Sequence, residues 1–134
     1  MFDKLTDEQI DKATTWWADR VCAPVFDGLS DKERKKPHNR AYQIAEVMAL
    51  SLVKPVEDSQ REKFIEALEV GLRDSGYRPY YGLGVDYHPD RVLAAAAEKA
   101  DVSLNNFPWK THMQFYEDGS VKAALGYGAE FKTV

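Results

Sequence analysis

Four side chains in the second half of the chain are of the types that bind metal ions or transfer protons. Asp86, His88 and Asp90 lie within "DYHPD" at 86–90, and His112 follows in "KTHMQF". Carboxylate oxygens and imidazole nitrogens are ligands that divalent metals accept, so these residues form a candidate metal site. The competing interpretation is structural, because Asp86 or His88 can cap a following helix and Asp90 suits its first turn. We favour the structural interpretation and predict neither metal nor cofactor.

Cys22 is the single cysteine of the chain. Together with a distant histidine it could serve as a nucleophile, whereas a lone cysteine commonly behaves as a small apolar residue. The sequence has no glycine-rich phosphate loop, no Gly-x-Ser-x-Gly turn and no His-Glu-x-x-His helix. We therefore predict a protein that is not an enzyme, with Cys22 as a reduced, partly buried thiol.

The length of the chain limits the number of domains. With 134 residues, 44% of them hydrophobic, it can form one packed core, which predicts a single compact domain over 1–134. No apolar run approaches the roughly 20 residues of a membrane span, and "MFDKLTDEQI" lacks the features of a signal peptide. These features predict a cytoplasmic protein without membrane contact.

The charge is distributed unevenly along the chain. The net charge is −4, yet "KERKKPHNR" at 32–40 carries five bases and one acid. This run is either a solvated connector or an electrostatic contact with RNA, DNA or an acidic protein surface. Its basic residues are Lys32, Arg34, Lys35, Lys36 and Arg40. Because a general duplex-DNA binder needs a basic face, the acidic balance makes direct nucleic-acid binding the less favoured alternative.

Helical periodicity covers much of the first hundred residues. A capping box of Thr6 and Gln9 predicts a helix over 7–21 with Trp17 in the core. A second helix is predicted over 39–53, and a box of Ser59 and Glu62 opens a third. The predicted core stripe of the second helix consists of Ala41, Ile44, Ala45, Met48 and Leu52, and that of the third consists of Phe64, Ile65, Leu68 and Leu72. A fourth helix is predicted over 89–100, with Pro89 at its first position.

The last quarter of the chain has the pattern of a β-hairpin. Asp118 and Gly119 join two extended runs and are predicted at positive φ. Alternation turns Met113, Phe115, Val121 and Leu125 towards the helices, and His112, Gln114 and Tyr116 away from them. "LGVDY" is a candidate third strand. The predicted fold is α+β, with a four-helix N-terminal part and a C-terminal antiparallel hairpin or small sheet packed on it.

Aromatic residues are concentrated in "YRPYYGLGVDYHPD" and in the "FPW" corner at 107–109. Such residues either close the core or form an exposed patch, in which Tyr and Trp are common energetic anchors for a protein partner. The candidate partner-binding residues are Tyr77, Tyr80, Tyr81, Asp86, Tyr87, Trp109 and Tyr127.

The segments "NFPWKTHMQF" and "GYGA", with "WWADR" in the first helix and Val-Asp-Tyr at 85–87 followed by Pro89, resemble small accessory proteins carried by phages and prophages of proteobacteria. The resemblance implies an inhibitor of host defence, of the kind that includes anti-CRISPRs, which binds a host protein and blocks its substrate site. It supplies no residue roles.

Three function classes therefore remain open. The favoured hypothesis is an inhibitory binding protein whose partner is a host protein, for example a nucleic-acid-binding defence effector. The alternatives are a nucleic-acid-associated regulator that uses 32–40, and a small metal-dependent enzyme. A homodimer is compatible with each of them.

Overall fold

The computed structural model describes residues 4–24, 36, 44, 47–74, 82–126 and 129–134. In chain order these contain α1 (Asp7–Cys22), α2 (Asp58–Arg73), β1 (Leu83–Val85), α3 (Arg91–Ala100), a 3-10 helix (Leu104–Asn106), β2 (Thr111–Phe115), β3 (Val121–Ala124) and β4 (Lys132–Thr133). The strands form an antiparallel sheet in the order β1-β2-β3-β4. The predicted α+β class, with helices packed beside a small C-terminal sheet, is confirmed. No helix in these ranges has both the length and the apolar character that crossing a lipid bilayer requires.

Helix α1 begins as its sequence predicts. The Gln9 amide donates to Thr6 Oγ1 at 3.1 Å, and the Thr6 amide donates to Gln9 Oε1 at 2.9 Å, which completes the capping box. Trp17 is fully buried on the inner face of this helix. The side chains of Ile10 and Val21 are buried with it, so α1 presents one apolar face to the core.

The start of α2 differs from its prediction. The capping box is formed by Glu57 and Gln60, not by Ser59 and Glu62. Glu57 has extended backbone and is the last residue before the helix, which places Ser59 inside the first turn, past the N-cap position. The apolar face is as predicted, because Phe64, Leu68 and Leu72 are buried and Ile65 packs against the core.

The core lies between the helices and one face of the sheet. Phe107 is buried where it meets Trp17 and Phe64, with ring centroids 6.2 and 6.0 Å apart. The first residue of the "FPW" corner therefore closes the core. Asn106, also buried, accepts from the Lys54 amide at 2.9 Å and donates to the Lys54 carbonyl oxygen at 2.7 Å and to the Val21 carbonyl oxygen at 2.9 Å. It thus ties the end of α1 to the segment that leads into α2.

The stripe predicted to bury the second helix is exposed. Residues 44 and 47–50 have helical backbone, but Ile44, Met48 and Leu52 are 58, 64 and 53% exposed. The buried residue of this segment is Ala49. Ile44 and Met48 have the predicted helical backbone, whereas Leu52 lies in a turn, because the helix predicted to run to 53 ends at Leu50. Periodicity carries no information on whether another element covers the apolar residues. Ala41 and Ala45 lie outside the described residues.

Helix α3 and the hairpin each correct a detail of the prediction. The helix begins at Arg91 with Asp90 as its N-cap, so Pro89 precedes the cap and does not open the helix. In the hairpin, Gly119 has a φ of 89°, whereas Asp118 is not at positive φ. The Gly119 amide donates to the Tyr116 carbonyl oxygen, and the Tyr116 amide donates to the Ser120 carbonyl oxygen. Residues 117–119 therefore form a three-residue hairpin loop, which requires one residue in the left-handed conformation. A two-residue Asp-Gly turn requires two such residues.

The sheet confirms most of the predicted alternation. Met113, Phe115 and Val121 are buried, whereas His112 and Gln114 are exposed. Leu125, predicted to be buried, is half-buried because β3 ends at Ala124 and regular alternation ends with it. Ala124 is buried although it lies on the face predicted to point outwards, and Tyr116 on that face is half-buried. "LGVDY" contributes β1, as predicted.

Candidate functional site

The loop after β1 and the turn before β2 meet at one end of the sheet. The strands pair with Leu83 opposite Met113 and Val85 opposite Thr111. One residue further along each strand, the Lys110 amide donates to the Asp86 carbonyl oxygen at 2.7 Å. This pairing brings together the four side chains of the 86/110 cluster, which we define as Asp86, Tyr87, Trp109 and Lys110.

An ion pair lies at the centre of the 86/110 cluster. The Lys110 ammonium donates to the Asp86 carboxylate, and this hydrogen bond raises the pKa of Lys110. Lys110 has a φ of 55°, a left-handed conformation that residues with a side chain seldom adopt. A left-handed non-glycine residue costs about 1 kcal/mol or more, so the contacts of Lys110 must compensate for that strain.

The Tyr87 ring lies beside the ion pair, and the Trp109 ring packs against the Tyr87 ring. Tyr87 is 59% exposed, and its ring packs edge-on against Trp109 with centroids 5.8 Å apart. The ammonium of Lys110 lies 4.7 Å from the centroid of the Tyr87 ring. Trp109 itself is half-buried. The cluster is therefore an exposed aromatic surface whose orientation is fixed by a cation–π contact and an ion pair.

Asp90, next to the 86/110 cluster in the chain, has a structural role. Its carboxylate accepts from the Leu93 amide at 2.9 Å, which caps α3, and from the Gly84 amide at 2.7 Å. The Asp90 amide donates to the Gly84 carbonyl oxygen, so both polar groups of Gly84 are bound on the outer edge of β1. Burial raises the pKa of the Asp90 carboxyl above its usual value. Asp90 is thus committed to the fold and is not the exposed acid that a partner would contact.

The four candidate metal ligands lie in separate environments. Asp86 pairs with Lys110, Asp90 caps α3, and His88 is exposed. His112 lies across the strand from Gly84, where a side chain on Gly84 would come within 2.9 Å of the imidazole Nδ1. Within the described ranges, no three His, Cys, Asp or Glu side chains are grouped so that they could hold a metal ion.

Cys22 is half-buried at the end of α1, as predicted. Burial raises the pKa of its thiol, with a smaller opposing effect of the Arg61 guanidinium. Arg61 is in turn paired with Asp19 at 2.5 Å. A raised pKa favours the protonated thiol, which is the less nucleophilic form.

The remaining candidates divide into those that the structure describes and those that it does not. Lys36 is exposed. Outside the described residues lie Tyr77, Tyr80, Tyr81, Tyr127, Lys32, Arg34, Lys35 and Arg40. Asp86, Tyr87 and Trp109 are brought together as described above.

Lys110 belongs to the surface, but no pattern in the sequence predicts this. The ion pair joins residues that are 24 positions apart in the chain. The sequence around Asp86 and around Lys110 contains no pattern that predicts their contact. The only local signal was the position of Lys110, directly after the Phe-Pro-Trp corner and directly before β2. A second aromatic contact was missed for the same reason, because the Lys122 ammonium lies 5.3 Å from the centroid of the Tyr116 ring across the hairpin.

No protein-family model matches this chain, and no curated protein matches it.

Proposed function

We propose that this protein acts by binding another protein, and that Tyr87 and Trp109 form the centre of the contact surface. The observation that carries the proposal is the exposure of the Tyr87 ring within a fixed cluster. Tyr and Trp contribute disproportionately to binding energy because they bury much area for little loss of side-chain freedom. Here the Lys110 ammonium and the Trp109 ring already restrict the Tyr87 ring, so less freedom remains to be lost on binding.

The charges of the 86/110 cluster contribute little long-range attraction for a partner. Because Asp86 is paired with Lys110, the two charges largely cancel at a distance. Asp90 adds little, since its carboxylate accepts two backbone amides below the surface. The affinity should therefore depend more on apolar burial by the rings than on salt concentration.

The biological role that we propose is inhibition of a host defence protein by a phage-type accessory protein in the bacterial cytoplasm. This role rests on the resemblance of the "NFPWKTHMQF" and "WWADR" segments to proteins of phages and prophages. Such an inhibitor requires a binding surface and no reactive group, and the 86/110 cluster meets that requirement.

The test begins with co-purification from a proteobacterial lysate, with mass spectrometry to identify stoichiometric partners. Affinity for a recovered partner is then measured with Tyr87→Ala and Trp109→Ala. Truncation of a central aromatic residue typically costs about 2 kcal/mol or more, so we expect each variant to bind at least about tenfold more weakly. Phe131→Ala is the matched control, because Phe131 is an exposed aromatic residue that precedes β4.

Circular dichroism must show that each variant is folded. Unchanged affinity in a folded Tyr87→Ala, Trp109→Ala double variant would exclude the 86/110 cluster as the contact surface. Binding of single- or double-stranded oligonucleotides at physiological salt, with no protein partner recovered, would instead support the nucleic-acid alternative.

A further inference from the structure

The two outer edges of the sheet differ in their hydrogen bonding. The edge strands are β1 and β4. On β1, the Gly84 amide donates to the Asp90 carboxylate and the Gly84 carbonyl oxygen accepts from the Asp90 amide, so this edge is closed to a further strand. The edge formed by β4 has a different environment.

The direction of the backbone groups of β4 follows from its hydrogen bonds to β3. The Val134 amide donates to the Val121 carbonyl oxygen at 2.9 Å, so these two residues form a hydrogen-bonded pair. Such pairs alternate along antiparallel strands, which makes Thr133, opposite Lys122, a non-hydrogen-bonded position. The N–H and C=O of Thr133 therefore point away from β3. In the part of the chain that the structure describes, no group accepts from this N–H or donates to this C=O.

The residues at the start of β4 place an apolar ring beside this open edge. Phe131 is two residues before Thr133 and therefore lies on the same side of an extended strand. The Phe131 side chain is 42% exposed. Glu130 and Lys132 on either side of it are exposed as well, and neither forms an ion pair with another described residue. The edge thus combines unpaired backbone groups, an exposed ring and one charge of each sign.

The order Glu130-Phe131-Lys132 is self-complementary in an antiparallel pair. When two copies of β4 lie side by side with their Phe131 residues opposed, each Glu130 lies opposite Lys132 of the second copy. The Glu–Lys pairs then take the non-hydrogen-bonded positions, where opposed side chains are closest. A pairing centred on Glu130 or on Lys132 would place like charges directly opposite each other. The charges therefore select the register centred on Phe131.

We propose that the β4 edge binds a second copy of this chain by antiparallel pairing about Phe131. The pairing extends β4 back to Glu130 in both copies and joins two four-stranded sheets into one. The same edge is used in both copies and the β1 edge is closed, so association stops at a dimer. This inference goes beyond the proposed function, because the 86/110 cluster lies beside β1 and β2 and takes no part in the pairing.

The size of the contact sets the expected strength of the dimer. A stable dimer typically buries about 800 Å² on each partner, and a contact along one short edge buries less. We therefore expect a weak dimer that forms between about 10 µM and 1 mM protein. At submicromolar concentrations the chain is monomeric, so Phe131→Ala remains a valid control for the affinity of a co-purified partner.

Sedimentation equilibrium over this concentration range measures the dimer. Glu130→Lys and Lys132→Glu each place like charges opposite each other on both sides of the two-fold axis, and we expect each to weaken the dimer at least about fivefold. Glu66→Lys is the matched control, because it makes the same charge change at an exposed position on α2. An equimolar mixture of Glu130→Lys and Lys132→Glu should associate as tightly as the wild type, because every opposed pair in the mixed dimer is again an acid and a base.

The backbone pairing is tested separately from the charges. Thr133→Pro removes an N–H that points away from β3, and proline is tolerated at such edge positions. We expect this variant to remain folded by circular dichroism and to lose the dimer. In the wild type, exchange of the Thr133 amide hydrogen should slow as the protein concentration rises, because the dimer supplies its acceptor.

Three results would overturn the proposal: a monomer at 1 mM, a dimer that neither charge variant weakens, or a mixture that associates no more tightly than its components. Loss of the dimer in Met48→Glu but not in Glu130→Lys would assign it to the exposed stripe that includes Met48. If the chain stays monomeric at 1 mM and Thr133→Pro weakens a co-purified partner, the edge binds a segment of that partner and the second copy is wrong.

Discussion

The side-chain amide of Gln9 donates to the carbonyl oxygen of Tyr116 at 2.8 Å. The same nitrogen lies 3.5 Å from the Ser120 carbonyl oxygen, while Gln9 Oε1 accepts from the Thr6 amide within the capping box. Gln9 is buried, and it therefore joins the first turn of α1 to both ends of the hairpin loop.

Gln9→Glu tests this connection. The substitution keeps an oxygen for the Thr6 amide but replaces the donating nitrogen with an acceptor that faces the Tyr116 carbonyl oxygen. We expect a loss of about 1 to 3 kcal/mol in the free energy of unfolding, measured by urea denaturation at pH 7. Glu8→Gln, which changes the charge in the opposite direction at the neighbouring exposed position, should stay within about 0.5 kcal/mol of the wild type. Equal stability of Gln9→Glu and the wild type would show that the connection contributes nothing.

Asn106→Asp should be far more damaging than the same change one residue earlier. Asn106 is buried and donates to two carbonyl oxygens, and an aspartate would leave both without their donor and bury a charge. We expect a destabilisation of at least about 2 kcal/mol, whereas Asn105→Asp, at an exposed position, should change stability by less than about 0.5 kcal/mol. Thermal unfolding of the two variants side by side is the measurement, and a similar loss in both would refute the assigned role of Asn106.

Asp90→Asn tests the N-cap of α3 and the edge of β1 together. An asparagine oxygen can still cap Leu93, but its amide nitrogen cannot accept from Gly84. We expect a loss of about 1 to 2 kcal/mol at pH 7, with Asp101→Asn as a control at an exposed position after the helix.

The pH dependence of that loss has a definite sign. Because burial raises the pKa of Asp90 in the folded state, the folded protein takes up the proton more readily than the unfolded chain. Protonation therefore adds stability to the wild type as the pH falls through the folded pKa, and the gain is complete below the unfolded value of about 3.9. The variant lacks this group, so the stability difference between wild type and variant should widen from pH 7 to pH 4. A difference that narrows over this range would contradict the cause assigned to the shift.

Met48→Glu and Ala49→Glu distinguish the exposed stripe from a buried one. Met48 is 64% exposed and Ala49 is buried. We expect Met48→Glu to change stability by less than about 0.5 kcal/mol and Ala49→Glu to cost at least about 2 kcal/mol, because it would bury a carboxylate. A large loss in Met48→Glu would restore the sequence-based prediction that this stripe belongs to the core.

The sequence pattern predicts the structure best where the determining contacts are local. Thr6 and Gln9 are three residues apart, and the alternation of Met113 and Phe115 is contained within one strand, so the pattern predicts both. It was wrong about Ile44 and Met48, because apolar spacing identifies the residues that share a face without identifying what covers that face.

The candidate surface was predicted only in part, because one of its contacts joins residues that are distant in the chain. Tyr87 and Trp109 were selected by residue type, and the structure brings them to a centroid distance of 5.8 Å. Lys110, which fixes the orientation of the Tyr87 ring, acts through Asp86 from a distant part of the chain. Contacts between residues that are distant in the chain determine which exposed aromatic side chains have a fixed orientation. Residue type alone does not predict such contacts.

The hydrogen bonds of Gln9 also bear on how the chain folds during its synthesis. Gln9 and Ser120 are separated by 111 positions, which a ribosome translates in roughly 5 to 20 s at 5 to 20 residues per second. Throughout that interval the side-chain nitrogen of Gln9 has no carbonyl oxygen of the hairpin loop to which it can donate. The contact that joins the first turn of α1 to the hairpin therefore forms only after residues 116–120 have been synthesised, when both α1 and α2 have long been complete.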